Sequence, residues 1–201
     1  MTDSRQTVRS MTYVAFLRGI NVGGNAIVSM AAIKEALVAV GMSDVRTYIN
    51  SGNVIFSTLA ADAHKLTARI EKALEQRMGM AIRVLVIDHK ALKKLVDAIP
   101  RNWVDDKTMR TYVLLLWKEI DDPKILDRLP IRPGVDDLRY ARGAVIWRVD
   151  RENVGRSSMS KIVGTPLYKR ITIRSANTIR KLNELTATPA GRSGAESTRA
   201  S

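Results

Sequence analysis

Three stretches of the chain are apolar almost without a break: YVAFL at 13–17, VLVI at 84–87 and YVLLLW at 112–117. A strand with one face in water alternates apolar and polar residues, whereas a strand buried on both faces reads as a continuous apolar run. These strands therefore need cover on two sides, from helices on one and from the other half of the chain, or a partner chain, on the other. The longest run, YVLLLW, is far short of the ~18–20 residues that carry a helix across a bilayer, so no membrane span is expected.

The elements around these runs recur in one order. Apolar period and punctuation predict a strand over 12–17, then a helix capped by Ser29 with Ile33, Leu37 and Val40 on one face and Gly41 at its stop. Strands over 45–49 and 53–57 follow, joined by a tight hairpin through Asn50, Ser51 and Gly52. Asp62 opens the next helix, where Leu66, Ile70, Leu74 and Met78 form a stripe at a spacing of four, and Gly79 ends it. A strand over 82–87 and an Asp88-capped helix stopping at Pro100 complete βαββαβ plus one helix. The second half repeats the order. It predicts a strand over 111–117, a helix over 123–129 stopped by Pro130, and a hairpin of 138–142 with 144–149 turning at Gly143. A short helix near 158–163, a strand over 171–174 and a closing helix begun by Ser175 complete it. The fold class is α+β: two ferredoxin-like βαββαβ halves with additional helices, over 11–100 and 108–185. One mixed sheet drawing on both halves is the alternative. Residues 1–10 precede the first apolar segment and 186–201 carry no large apolar side chain to offset the entropy of ordering, so both ends are expected to be disordered, with Met11 as an alternative start.

Composition narrows the chemistry. Cysteine is absent, which excludes disulfides, cysteine-ligated zinc, iron–sulfur clusters and cysteine nucleophiles. A chain of 201 residues buries roughly 70% of its unfolded surface and needs no such staple. The opening MTDSRQTVRS has no apolar segment of the signal-peptide kind, and a cytoplasmic location is expected. Net charge is +13, from 33 Lys and Arg against 20 Asp and Glu. Eleven of the cations but only two of the acids fall within 139–181, a local surplus of nine. Such a field attracts phosphate and other polyanions. Solvated faces of a basic soluble protein give the same count, because charge alone speaks to solubility and non-specific binding.

Two motifs stand out. RGINVGG at 18–24 follows a strand and precedes a helix, where main-chain N–H groups and the helix dipole can hold an anion, and its three glycines permit close approach. It is neither a P-loop nor G-x-G-x-x-G, and a structural turn uses the same residues. In a βαβ unit the first two strands are parallel, so this loop and the hairpin after the second strand emerge at one edge. Arg18, Gly19, Asn21, Gly23 and Gly24 are thereby expected beside Asn50, Ser51, Gly52 and Asn53, a set with a guanidinium, carboxamides, a hydroxyl and main-chain donors but no acid. Asn50 and Asn53 capping their own turn, with Arg18 paired to a carboxylate elsewhere, is the competing structural reading.

Conventional catalytic patterns are thin, and no catalytic residue is assigned. His64 and His89 are isolated and read as solvated, no zinc-ligand spacing occurs, and the pairs Asp105 with Asp106, Asp121 with Asp122 and Asp136 with Asp137 read as loop and helix-start acids. No metal site and no cofactor are expected. There is no G-x-S-x-G elbow. Lys161, in RSSMSKIVG, is a further candidate phosphate ligand with Ser157, Ser158 and Ser160, for which helix capping is the alternative. Asn177 and Arg180, one turn apart on the closing helix, read as exposed polar residues.

RGINVGG and TYINSGNVIF (47–56) resemble the paired motifs of a bacterial domain-of-unknown-function family, number sixteen ninety-seven. The resemblance covers about 11–185 and places Arg18, Gly19, Asn21, Gly23 and Gly24 in the first motif and Tyr48, Ser51, Gly52 and Asn53 in the second. SSMSKIVG and TIRSANTIRKL are looser matches in the C-terminal half, with Ala176 where family members carry tryptophan. The similarity implies two ferredoxin-like halves and no established activity.

The leading functional reading is a module that binds an anion, either a phosphate-containing ligand or nucleic acid, at the 18–24 and 50–53 edge, with the basic 139–181 stretch nearby or as a second surface. The alternatives are an enzyme acting on a small phosphorylated or carboxylated metabolite, with Arg18 or Lys161 stabilising developing charge, and a protein-interaction module that pairs its apolar faces as a homo-oligomer.

Overall fold

The computed structural model describes residues 10–20 and 28–187. Strand β1 (Ser10–Leu17) lies between β3 (Asn53–Leu59) and β4 (Val84–Asp88), with β2 (Ser43–Tyr48) outside β3, and every neighbouring pair is antiparallel. In the second sheet β5 (Met109–Leu116) lies between β7 (Ala144–Asp150) and β8 (Ile171–Ser175), with β6 (Asp136–Ala141) outside β7. The two orders, β2-β3-β1-β4 and β6-β7-β5-β8, are the same arrangement. The chain is therefore α+β with two ferredoxin-like halves, and the single mixed sheet is ruled out.

Local chemistry sets the helix ends. Ser29 accepts the Ala32 N–H at the start of α1 (Met30–Ala39), Asp62 accepts two N–H groups at the start of α2 (Ala63–Met78), and Gly79 closes α2 with φ 68°. Asp88 caps α3 (His89–Ala98), and the Ser175 hydroxyl accepts the Thr178 N–H at the start of α4 (Ala176–Ala187). The helices expected over 123–129 and 158–163 are instead 3₁₀ segments, Pro123–Arg128 and Ser158–Ile162. Between the Asp122 cap and Pro130 there is too little chain to nucleate and extend an α-helix. Ser10 belongs to β1, and Thr186 and Ala187 to α4. The rest of the expected disorder, at 1–9 and 188–201, lies outside the described residues.

Alternation along the strands sorts the core into three layers. Tyr13, Ala15 and Leu17 of β1, with Val54 and Phe56 of β3, pack against Ile33 and Leu37 of α1 and Leu66, Ile70 and Leu74 of α2. The opposite faces, Val14, Phe16 and Ile55 from the first sheet and Val113, Leu115, Ala144 and Ile146 from the second, close on Leu92 and Leu95 of α3 and Ala176, Ile179 and Leu182 of α4. The other half of the same chain thus supplies the second cover that the apolar runs need. Beyond the second sheet, Leu114, Leu116, Val145 and Trp147 are covered by Ile125, Leu129, Ile162 and Leu167 from the 3₁₀ segments and loops.

Short 3₁₀ turns bury little apolar surface, and a carboxylate holds this outer layer in place. Asp136, the first residue of β6, is 6% exposed. It accepts the Trp147 indole N–H at 3.0 Å, the Ser157 hydroxyl, and the N–H groups of Arg132 and Ser158 at 3.0 Å each. Burial pushes its carboxyl up, but these four donors, Ser157 foremost, outweigh burial and hold it below the ordinary value. The Asp136→Ala variant strands all four donors and is expected to lose about 3 kcal/mol in urea unfolding. Because the folded-state pKa is depressed, this stabilisation is fully present above the ordinary carboxylate value of about 3.9 and fades as pH falls below it. The gap between parent and variant should therefore narrow in acid titrations.

Candidate functional site at the shared rim

The end of β1 and the β2–β3 hairpin meet at one rim of the first sheet, as expected from the strand order. Leu17 N donates to Gly52 O at 2.8 Å and Arg18 N to Arg83 O at 2.9 Å. The second sheet repeats both bonds, Leu116 N to Gly143 O at 2.9 Å and Trp117 N to Arg170 O at 3.2 Å. Leu17, Arg18, Gly52 and Arg83 thus correspond to Leu116, Trp117, Gly143 and Arg170. The two rims adjoin: the Arg18 guanidinium lies 5.0 Å over the Tyr168 ring and donates to the carbonyls of Tyr168 and Ile171, both at 3.2 Å. The Arg83 guanidinium lies 5.0 Å over Trp117 and pairs with Glu71 at 3.5 Å.

Arg174 of β8 joins the halves more deeply. Its Nε donates to Asn53 Oδ1 at 2.6 Å, its Nη1 to Thr172 Oγ1 at 3.0 Å and Ile173 O at 2.7 Å, and its Nη2 to Leu17 O at 2.8 Å and Gly52 O at 3.3 Å. The same group lies 5.6 Å over the Phe16 ring. Burial pulls its pKa down to about 10, so it is still a cation at neutral pH. Asn53, fully buried, completes the joint by donating to Tyr48 O at 3.1 Å and Ser51 Oγ at 2.9 Å. Gly52 has φ 75°, and a Cβ there would stand 2.9 Å from the Leu17 Cβ and 3.0 Å from Ile20.

The expected neighbours Arg18, Ser51, Gly52 and Asn53 are therefore brought together, with Gly19 (φ 72°) exposed beside them and Asn50 at the exposed hairpin tip. Asn21, Gly23 and Gly24 lie outside the described residues. Asn53 caps its own turn, and Arg18 pairs with carbonyls of the other half, where a carboxylate was the structural alternative. Lys161 stands apart. It is exposed on the outer layer of the second half, beside a groove of about 450 Å³, and Ser157 is spent on Asp136. Asn177 and Arg180 are tied down: Asn177 donates to Asp105 O at 2.7 Å and Arg180 to the carbonyls of Pro100 and Trp103. His89 Nδ1 meets Thr186 Oγ1 at 2.8 Å in a part-buried contact, so it is not simply solvated. Among the described residues no cluster of His, Asp or Glu could hold a metal, and no helix is long and apolar enough to cross a membrane.

Sequence reasoning passed over Arg174, Arg83, Trp117 and Tyr168 as parts of this rim. For Arg174 a signal was present. In ITIRS the residues alternate, so Thr172 and Arg174 share one face of a strand whose sheet is covered on both sides. An arginine at such a position needs several acceptors.

Two substitutions test the joint. Gly52→Ala adds left-handed strain of ~1–2 kcal/mol and a clash of ~1–3 kcal/mol, and should lower unfolding free energy by about 3 kcal/mol. Arg174→Met keeps the stem over Phe16 but strands Asn53 Oδ1 and Leu17 O, with an expected loss of about 2–4 kcal/mol in the same measurement.

The family profile described as a protein of unknown function, DUF1697, matches residues 11–147. A solved structure, that of the conserved bacterial protein SP0830 from Streptococcus pneumoniae, superposes with a TM-score of 0.77 at 23% identity, covering 89% of this chain and 99% of that one. No curated protein matches the chain. With the profile spanning both N-terminal motifs and most of the two sheets, the chain belongs to the DUF1697 family.

Proposed function

We propose that the chain binds a phosphate-bearing polyanion, nucleic acid foremost, across the shared rim. The observation that supports this reading is the density of exposed cations there. Lys118, Arg142, Lys169 and Arg170 are exposed and have no carboxylate partner among the described residues, and Arg83 is exposed beside them. Their places follow from the backbone bonds of Trp117 and Gly143, which flank or adjoin each of them. The Tyr168 and Trp117 faces are already covered by Arg18 and Arg83, so bases have little aromatic surface on which to stack. Contact is then to phosphates, which position a ligand without reading its sequence. Arg18 contributes fixed positive potential, since its Nε and Nη2 are engaged by carbonyls. That engagement also weakens the enzyme reading, in which Arg18 must meet developing charge.

Neutralisation of about five phosphates gives a plot of log K against log salt with a slope near −4 to −5. Fluorescence anisotropy with a labelled duplex should show that slope with little dependence on sequence. Replacing both Lys169 and Arg170 by alanine should flatten it by nearly 2. Affinity that ignores salt would exclude the proposal.

A further inference from the structure

The correspondence between the two rims breaks at the place that Arg174 fills. Counted from Arg83 and Arg170, the residue of β4 that matches Arg174 is Ile87, and the ladders agree: Ile87 pairs with Val14 of β1 as Arg174 pairs with Val113 of β5. The carbonyls that Arg174 reaches, those of Leu17 and Gly52, have Leu116 and Gly143 as counterparts. Ile87 has no donor to offer them. At that place the surface opens a cleft of about 210 Å³, whose lining includes Ile87, Leu116, Lys118, Asp121, Gly143 and, from α2, His64.

The third acceptor of the Arg174 seat also has a substitute. In the first half it is Asn53 Oδ1, whose counterpart next to Gly143 is Ala144, without a polar group. Asp121 stands at the same hairpin and accepts the Gly143 N–H at 2.7 Å and the Tyr140 hydroxyl at 2.9 Å through Oδ1. Its Oδ2 has no partner among the described residues. A carboxylate oxygen and strand-end carbonyls form an acceptor set matched to a planar fork of N–H donors. The apolar β4 residues Val84, Leu85 and Val86 line the rest of the cleft and suit methylenes. Lys118 and His64 are the other ionisable groups of the lining, and the exposed Arg142, next to Gly143, and Arg83, over Trp117, stand beside it, so the Asp121 carboxylate must hold a guest cation against the field of that rim. The volume falls below the roughly 300–1,000 Å³ of drug-sized pockets, which limits the occupant to the size of one side chain.

The geometry points to this cleft as a binding site for a guanidinium group on a short apolar stem, the external equivalent of what Arg174 supplies from within. Agmatine is the probe. Titrated into the full chain and followed by calorimetry and amide NMR, it should bind saturably at one site, with shifts concentrated at Leu116, Trp117, Lys118 and Gly143. Asp121→Asn keeps an acceptor for Gly143 and Tyr140 but loses the charge, and should weaken binding about tenfold. Ile87→Arg places a guanidinium in the cleft from the chain itself, and should abolish agmatine binding. Butylamine of similar length should bind at least several-fold more weakly than agmatine. A short blocked peptide with one arginine, titrated in parallel, identifies the source: tighter binding than agmatine marks a polypeptide arginine, weaker binding a free small molecule. Absence of saturable agmatine binding, or equal binding by the parent and Asp121→Asn, overturns the assignment even if Ile87→Arg does not fold.

Discussion

A single guanidinium in the seam between two sheets ties the rim together. Arg174 takes five acceptors from Leu17, Gly52, Asn53, Thr172 and Ile173, none of them charged. Desolvating a cation costs several kcal/mol, and a carboxylate partner would add a second such cost. Neutral acceptors in a fixed ring lower the first without incurring the second. Lysine could not replace it, because an ammonium on a flexible stem lacks the flat fork that spans three separate segments at once. The side-chain-free turn at Gly52 and the full burial of Asn53 follow from the same contact, since both let the end of β1 and the hairpin close around the guanidinium.

Beneath that joint the two halves depend on one another for cover. The faces carrying Val14, Phe16 and Ile55 on one sheet and Val113, Leu115 and Ile146 on the other share one core with α3 and α4, and Arg174 bridges the sheets directly at Phe16 and Asn53. Separated, each half would expose an apolar sheet face, which soluble chains seldom leave open. The duplicated topology is therefore one cooperative unit in packing terms, although each sheet is closed in its own hydrogen bonding.

The order of elements could be read in the sequence because each carries its own local signal. Examples are the stripe Leu66, Ile70 and Leu74, the caps Ser29, Asp62 and Asp88, and the turn at Gly143. The convergence of Arg18 with Ser51, Gly52 and Asn53 was legible from topology alone, since parallel strands in a βαβ unit end on the same side. What remained hidden was long-range pairing. No local pattern shows that Asp136 collects donors from Arg132, Trp147, Ser157 and Ser158, or that Arg18 turns toward Tyr168. The 3₁₀ segments were misread as helices for a related reason: their apolar residues fit helical spacing, but Pro130 and the short intervals between turns decide the backbone.

The same pairing explains the charge-rich 139–181 stretch better than a count can. Arg174 and Arg180 are committed to carbonyls, Arg148 to Asp137 and Asp150, and Lys181 to Glu184. Of the cations left at the surface, Arg142, Lys169 and Arg170 stand at the rim, while Arg139, Arg151, Arg156 and Lys161 are spread over the rest of the second half. Part of the surplus is therefore structural and part is field. The division between them tracks the broken symmetry of the duplication. Where the first half supplies acceptors, the second supplies the arginine that fills them; where the second supplies acceptors, at Leu116, Gly143 and Asp121, the first offers an isoleucine and a cleft. The joint and the cleft thus differ in two residues, Arg174 against Ile87 and Asn53 against Ala144, while the two sheets keep the same strand order.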